Sequence, residues 1–432
     1  MPDAYQAPRW FPLDVAATIY PSARTRSWNY VFRVGFLLKE DVHPELLRAA
    51  LGDIRKRFPS FFVGVRRGLF WYYLERMENF DIVQKEREHP CRAFNLLNRT
   101  TPAIRVLYDR RRFCVEVSHC VSDGGGAFTM AKALLVRYLR LAGKDISADC
   151  GLPDISQPPR TEELMDSYRA FYTRHNAKPA PDPAAWQYRA PRERNYLKII
   201  RGTIPLEDIL PAAKARGLTL TDYLMGVYLY AFYTAVPGAR RSRKPIKVSV
   251  AVSLRGLYHS ESLRNFSLYA NIGFLPRGRA QFTFEDVLEA VKGRLDEAKT
   301  RETMHKLLCQ HTGMIMNPLV RLAPNFLKRR ILRIGYRIVG ESAQTSPLSN
   351  LGRAQLSAAV AGHVDAIECV LGGSAQKRIN CMTVSDERFL YAAFSGDTKK
   401  TDVQREFFRQ LAREGVRVHV ESNIRDEEED NR

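Results

Sequence analysis

The chain has 432 residues, of which 45% are hydrophobic and 26% charged, with a formal net charge of +20. This is a globular composition, too long for one ordinary core, so two subdomains are expected. No apolar run reaches the roughly 18 residues of a membrane-spanning helix, and the opening MPDAYQAPRWFPLD lacks the apolar core of a secretory signal. The seven cysteines are scattered and form no CxxC pair. That excludes a disulfide framework or a zinc site and points to reduced thiols in a cytoplasmic protein. The positive charge suits anionic partners. It lies in short clusters such as RKR at 55–57 and RRSRK at 240–244, with no nucleic-acid-binding motif, so nucleic acid is not expected as a partner.

In chain order, Leu46, Leu47, Ala50, Leu51 and Ile54 predict a helix over 44–58. FFVGVRRGLFWYYLE (61–75) reads as a hairpin about Arg66-Arg67-Gly68. Residues 103–109 and 112–118 read as a second strand pair, and 126–142 as a helix. Prolines at 153, 158, 159, 179, 181, 183 and 191 mark 151–195 as an extended crossover, interrupted by one short helix from Thr161. The second half restarts with a strand at 197–205. An all-round apolar helix follows at 219–236, hence buried, with Thr219 or Thr221 as its N-cap. A strand at 245–255 and a long helical stretch over 283–308 come next. Further strands are read at 352–360, 365–373 and 378–396, the last a pair turning at Ser385-Asp386-Glu387. A helix at 401–414 and a strand at 416–420 close the chain before an acidic tail. The organisation is therefore 1–150, a crossover at 151–195, 196–422, and a tail at 423–432. LVRLAPNFLKRRILRIGYRIV (319–339) mixes basic and apolar residues. It reads either as a basic amphipathic helix on a membrane surface or as a helix packed on the core with its arginines in water. Pro324 and Gly335 favour the second reading.

The stretch CVEVSHCVSDGGGAF (114–128) carries the chemistry. His119 ends a strand before a glycine turn into a helix, a suitable place for a general base near neutral pH. The plainer reading is a tight turn with an incidental histidine. Asp123 either bonds His119 or holds the loop to the rest of the protein. Cys120 is a conceivable nucleophile, but neighbouring side chains at a strand end diverge. His305 and His311 lie outside any ligand spacing and read as surface residues, and no metal site is expected.

HCVSDGGG fits the pattern HxxxDG and resembles the chloramphenicol acetyltransferase-like superfamily, which includes condensation domains, plant BAHD acyltransferases, wax ester synthases and bacterial alcohol acetyltransferases. The later segments IKVSVAVSLRGLYHSESLRNFSLYANIGF and TSPLSNLGRAQL extend the resemblance over about residues 10–420, and RNFSLY with SNLG look most like the bacterial alcohol acetyltransferases. Two departures stand out: Ser118 replaces the first histidine of condensation domains, and the BAHD DFGWG segment is absent. The resemblance implies an α/β (α+β two-layer) fold, with two similar subdomains in a V-shaped monomer around a central tunnel. It implies transfer of an acyl group from acyl-CoA, such as acetyl-CoA, or from an acyl carrier protein, to a small-molecule or lipid alcohol or amine. No cofactor would be bound. His119 would be the base, with Asp123 structural and paired to Arg255. The oxyanion would be met by amides of Gly124, Gly125 and Gly126 or by Ser349 and Asn350, and Asn265 or Asn271 would line the acceptor pocket. The alternatives are a condensation-like or lipid-acylating enzyme at a membrane surface, touching it through 319–339, and a catalytically silent binding module.

Overall fold

The computed structural model describes residues 8–24, 30–78, 80–87, 89–146, 151–174, 182–193, 196–277, 281–335, 340–374 and 377–424. Strands numbered along the chain form three sheets. The first, five-stranded, has the order β12 (Val364–Leu371), β2 (Val31–Leu38), β7 (Arg112–Ser118), β6 (Ile104–Asp109), β5 (Val83–Lys85). The second, seven-stranded, has the order β10 (Ser267–Phe274), β9 (Ile246–Ser253), β11 (Ser346–Arg353), β13 (Ile379–Ser385), β14 (Phe389–Gly396), β8 (Lys198–Pro205), β15 (His419–Ser422). The third, small, joins β1 (Trp10–Pro12) to β4 (Tyr72–Arg76) and β3 (Val63–Arg67). This is a mixed α/β architecture of two halves.

Each half buries one sheet face under helices. Pro44–Ile54 and Gly124–Leu141 cover the first sheet. Leu220–Ala235 lies between the second sheet and the helices Phe284–Val291 and Asp402–Arg413, which is why it is apolar on nearly every side. Its N-cap is Thr219, whose hydroxyl accepts from the Asp222 amide at 3.2 Å. β13 and β14 are buried on both faces, and their near-continuous apolar runs follow from that.

Several sequence expectations change. The stretch 283–308 is not one helix: Gly293, at φ +73°, and the Thr300 cap break it into Phe284–Val291, Arg294–Ala298 and Arg301–Met316. The strand expected at 352–360 ends at Arg353, because Gly352 takes φ +75° and Ser357 caps a short helix, Ala358–Ala361. The crossover is anchored to both halves. Glu163 pairs with Arg57 (Nη2–Oε1 2.5 Å), its carbonyl accepts from the Leu263 amide at 2.9 Å, and the Trp186 amide donates to Pro245 O at 2.8 Å. β12, from the later part of the chain, is a full member of the first sheet. The six described cysteines are free and buried. Within 319–339 the structure has two helices, Pro318–Leu322 and Asn325–Gly335; 336–339 and the tail from 425 lie outside the described residues. No described helix is long and apolar enough to cross a membrane.

β12 is tied to β2 by charge as well as by backbone pairing. The buried Arg33 guanidinium on β2 binds Glu116 of β7 (2.7 Å), Glu368 of β12 (3.1 Å) and Glu86 (2.5 Å). Arg201 of β8, in the other sheet, reaches Glu368 at 3.1 Å. Burial raises the Glu368 carboxyl, but Arg33, Arg201 and Arg112 outweigh it and hold it at about 2. A group lowered on folding stabilises the native state above its ordinary value, 4.5 here, and loses that contribution as pH falls through the folded value. Arg33→Met strands buried carboxylates and is expected to lower stability by about 3–5 kcal/mol. In urea titrations, the wild type should lose stability between about pH 5 and pH 2, and the variant should lose less over the same range.

Candidate active site

β7 delivers His119 to the junction of the two halves. The Ser118 and His119 amides donate to Ala103 O and Tyr30 O, both at 2.9 Å. The half-buried imidazole sits beside Phe32 and Tyr20, at ring-centroid distances of 4.5 and 5.2 Å. From the other half, Asn265 turns its Oδ1 towards His119 Nδ1 at 3.5 Å. The amide orientation follows from its Nδ2, which donates to His119 O at 2.9 Å and to Asp14 Oδ2 at 3.0 Å. An acceptor facing Nδ1 favours the tautomer with the proton on Nδ1 and the lone pair on Nε2. Burial lowers the His119 pKa, partly offset by the Asp123 charge and by hydrogen bonding with Asn265 and the Ser122 backbone.

Asp123 does not bond His119. Its Oδ1 accepts from Arg255 Nη2 (2.9 Å) and the Gly126 amide (3.1 Å). Its Oδ2 accepts from Arg255 Nη1 (2.9 Å) and the Phe266 amide (2.8 Å). Burial raises this carboxyl, but Arg255 and the two amides prevail and keep it below the ordinary range. Arg255, just beyond β9, is itself oriented by donating to Ser262 O (2.7 Å) and Arg264 O (2.6 Å).

Gly126 is buried, Gly124 half-buried and Gly125 exposed, and the second half approaches all three. A Cβ on Gly126 would lie 2.1 Å from Leu263 O; on Gly124, 2.6 Å from Leu351 Cδ2; on Gly125, 3.3 Å from Arg255 Nη1. They let the helix start come close to the second half. Gly126 spends its amide on Asp123, which leaves the amides of Gly124 and Gly125 as the donors of the turn. On β11, Ser349 shares a face with Leu351, which packs on Gly124. Asn350 faces away: its Nδ2 donates to Thr221 (2.9 Å) and its Oδ1 accepts from the Gly352 amide (2.9 Å), which fixes the bulge of β11.

Asn271 is also taken up elsewhere, donating to Asp182 at 2.6 Å, a carboxylate that also binds Lys247. Of the two asparagines considered, Asn265 is the one at His119. Burial pushes the Cys120 thiol up to about 12, which removes it as a thiolate nucleophile at neutral pH. The histidines read as surface residues are half-buried and partnered: His305 bridges Tyr258 and Thr173, both at 2.8 Å, and His311 packs near Tyr269 with its pKa lowered by burial. No cluster able to hold a metal occurs among the described residues. Sequence reasoning missed Asp14. It is fully buried and holds both the Ala17 amide (2.7 Å) and Asn265. Burial pushes it up to about 6 against the pull of Arg264. Its one legible signal was an aspartate placed to cap the Ala-Ala-Thr turn that follows it.

No protein-family model and no curated protein matches this sequence. Solved structures do match over nearly its whole length. Trichothecene 15-O-acetyltransferase TRI3 from Fusarium sporotrichioides aligns at TM-score 0.60 and 12% identity, covering 94% of each chain. TRI101 from F. sporotrichioides, complexed with coenzyme A and T-2, aligns at 0.60 and 10%, covering 95% of this chain and 99% of its own. The first condensation domain of the calcium-dependent antibiotic synthetase, bound to a substrate analogue, aligns at 0.59 and 15%, covering 95% and 97%. The chain has the chloramphenicol acetyltransferase-like fold. Within this fold, His119 and Asp123 come from one half and Asn265 and Arg255 from the other.

The Asp123–Arg255 pair is mostly buried, with side-chain exposures of 6% and 20%. Arg255→Ala and Asp123→Ala should each cost about 3–5 kcal/mol, since each strands a partner. The double variant should cost little more than either single one. Urea unfolding of the four proteins checks this cycle; additive losses would remove the pair as a coupled unit.

Proposed function

We propose that this chain is an acyltransferase that moves an acyl group from a thioester to a hydroxyl or amine, with His119 as general base. One observation carries the reading: a half-buried histidine at the junction of the halves has Nδ1 facing an amide oxygen, while the nearest aspartate is committed to an arginine. An imidazole that faces a neutral amide and has a lowered pKa is neutral at neutral pH and ready to accept a proton.

Nε2 takes the proton of the acceptor as its oxygen or nitrogen attacks the thioester carbonyl. The tetrahedral intermediate collapses, the thiolate leaves, and the imidazolium returns the proton to it. No acyl-enzyme is required. The amides of Gly124 and Gly125 and the Ser349 hydroxyl are the proposed oxyanion donors. Asn265 holds the tautomer, and Asp14 holds Asn265. Acyl-CoA is the proposed donor: it suits a chain of net charge +20, and a neighbour of this fold was solved with coenzyme A. An acyl carrier protein is the alternative donor, since another neighbour is a condensation domain. A silent binding module would have no need of a neutral, tautomer-fixed histidine.

The test incubates purified protein with a panel of acyl-CoAs and alcohols or amines, and follows free CoA and the acylated product. His119→Ala should lose about 10²–10⁴ in rate while keeping the wild-type unfolding curve. Product forming equally in that variant would rule out the base. The protonated imidazole is inactive, so kcat/KM should fall as pH drops through the folded His119 pKa. Because that value is lowered, the inflection should lie below the ordinary 6.5.

A further inference from the structure

The helix Asn325–Gly335 is packed the wrong way round for a surface in water. Its inward side is polar: Asn325 and Lys328 are 4% and 3% exposed. Lys328 Nζ donates to Phe70 O and Arg321 O, both at 2.9 Å, and lies 3.5 Å from the Trp71 ring centroid. Its outward side is apolar, with Phe326, Leu327, Ile331 and Ile334 between 43% and 64% exposed. Two more large apolar residues, Leu319 and Leu322 of the preceding short helix, are 81% and 70% exposed. The Asn325 amide donates to Leu69 O at 2.9 Å, which brings in the hairpin tip with Leu69 and Phe70, also exposed. Eight of the fourteen exposed large hydrophobics among the described residues thus sit on one surface, far from the scattered single residues of an ordinary surface.

Charge decides what covers it. From 318 to 335 the sequence has five cations (Arg321, Lys328, Arg329, Arg330, Arg333) and no acidic residue; none occurs between Glu302 and Glu341. Arg67 adds a further exposed cation at the hairpin tip. A second copy would set this basic face against its own like, in a chain of net charge +20. An anionic bilayer answers both features, taking apolar side chains into its interface and cations among its headgroups. An apolar-walled cavity of about 660 Å³, lined by Trp10, Leu13, Trp71, Met316 and Arg321, adjoins this surface. Arg333 reaches Ser22 O and Arg24 O at 3.5 Å, in the segment whose Tyr20 ring lies beside His119.

We propose that the outward face of 318–335, with the 67–70 hairpin tip, docks the protein on the surface of an anionic lipid bilayer. The inference concerns binding and stands independently of acyl transfer. The test sediments the purified full chain with phosphatidylcholine vesicles, with and without phosphatidylserine, at low and high salt. The wild type should pellet with the anionic vesicles and be weakened by salt. Arg330→Glu should weaken binding by at least about tenfold, since each charge at an anionic surface counts strongly. The double change Phe326→Ser and Ile331→Ser, at exposed positions, should abolish the binding that survives salt. Wild type staying in solution with anionic vesicles, or both variants binding like wild type, would overturn the proposal. So would a solution dimer of the wild type that the serine variant converts to monomer, which would assign the face to a second copy.

Discussion

Asp123 accepts four hydrogen bonds from groups that lie far apart in sequence, and the site depends on that arrangement. A buried carboxylate is costly unless its charge and its lone pairs are both met. Here the guanidinium of Arg255 meets the charge, and the amides of Gly126 and Phe266 complete the set. The donors belong to the start of one helix, the turn after β9 and the residue before β10. They converge only when the two halves are docked, so the same bonds that cap a helix also fix the spacing of His119 and Asn265.

The division of roles at the site follows. Because Arg255 and two amides take up Asp123, that carboxylate does not bond His119, and its charge only partly offsets the burial that lowers the His119 pKa. The histidine is oriented by a neutral amide, and that amide by the buried Asp14. The glycine turn belongs to the same device. A Cβ at Gly126 would collide with Leu263 O and one at Gly124 would press on Leu351, while at Gly125 it would only crowd Arg255. The first two therefore serve the closeness of the halves, and the amides of Gly124 and Gly125 are not taken up by Asp123.

Charge is used in two further ways. Around Arg33 it is buried and paired, joining β2, β7 and β12 and reaching β8 of the other sheet through Arg201. On Asn325–Gly335 a lysine is turned inward to carbonyls and a tryptophan face, and the apolar side chains are turned outward. Hydropathy spacing in 319–339 is compatible with either face being inside. The packing on the hairpin decides it: Asn325 and Lys328 turn inward and donate to the carbonyls of Gly68, Leu69 and Phe70.

Local chemistry was legible in the residues themselves. Strand alternation in 112–118, the histidine at its end, the aspartate before three glycines and the all-round apolar run at 219–236 are set by short-range periodicity and backbone freedom, which a sequence displays directly. Resemblance supplied the pairing of Asp123 with Arg255, 132 positions away; spacing alone does not contain it. What tertiary structure alone decided were the long-range partners. Asn265 rather than Asn271 meets His119, Asp14 stands behind it, Asn350 turns away to Thr221, and β12 crosses into the first sheet. Each depends on which polar group is nearest when two halves close. Residues 14, 119 and 265 are brought together because the local chain does not satisfy all their polar atoms: Asp14 takes the Ala17 amide on one oxygen and needs Asn265 for the other.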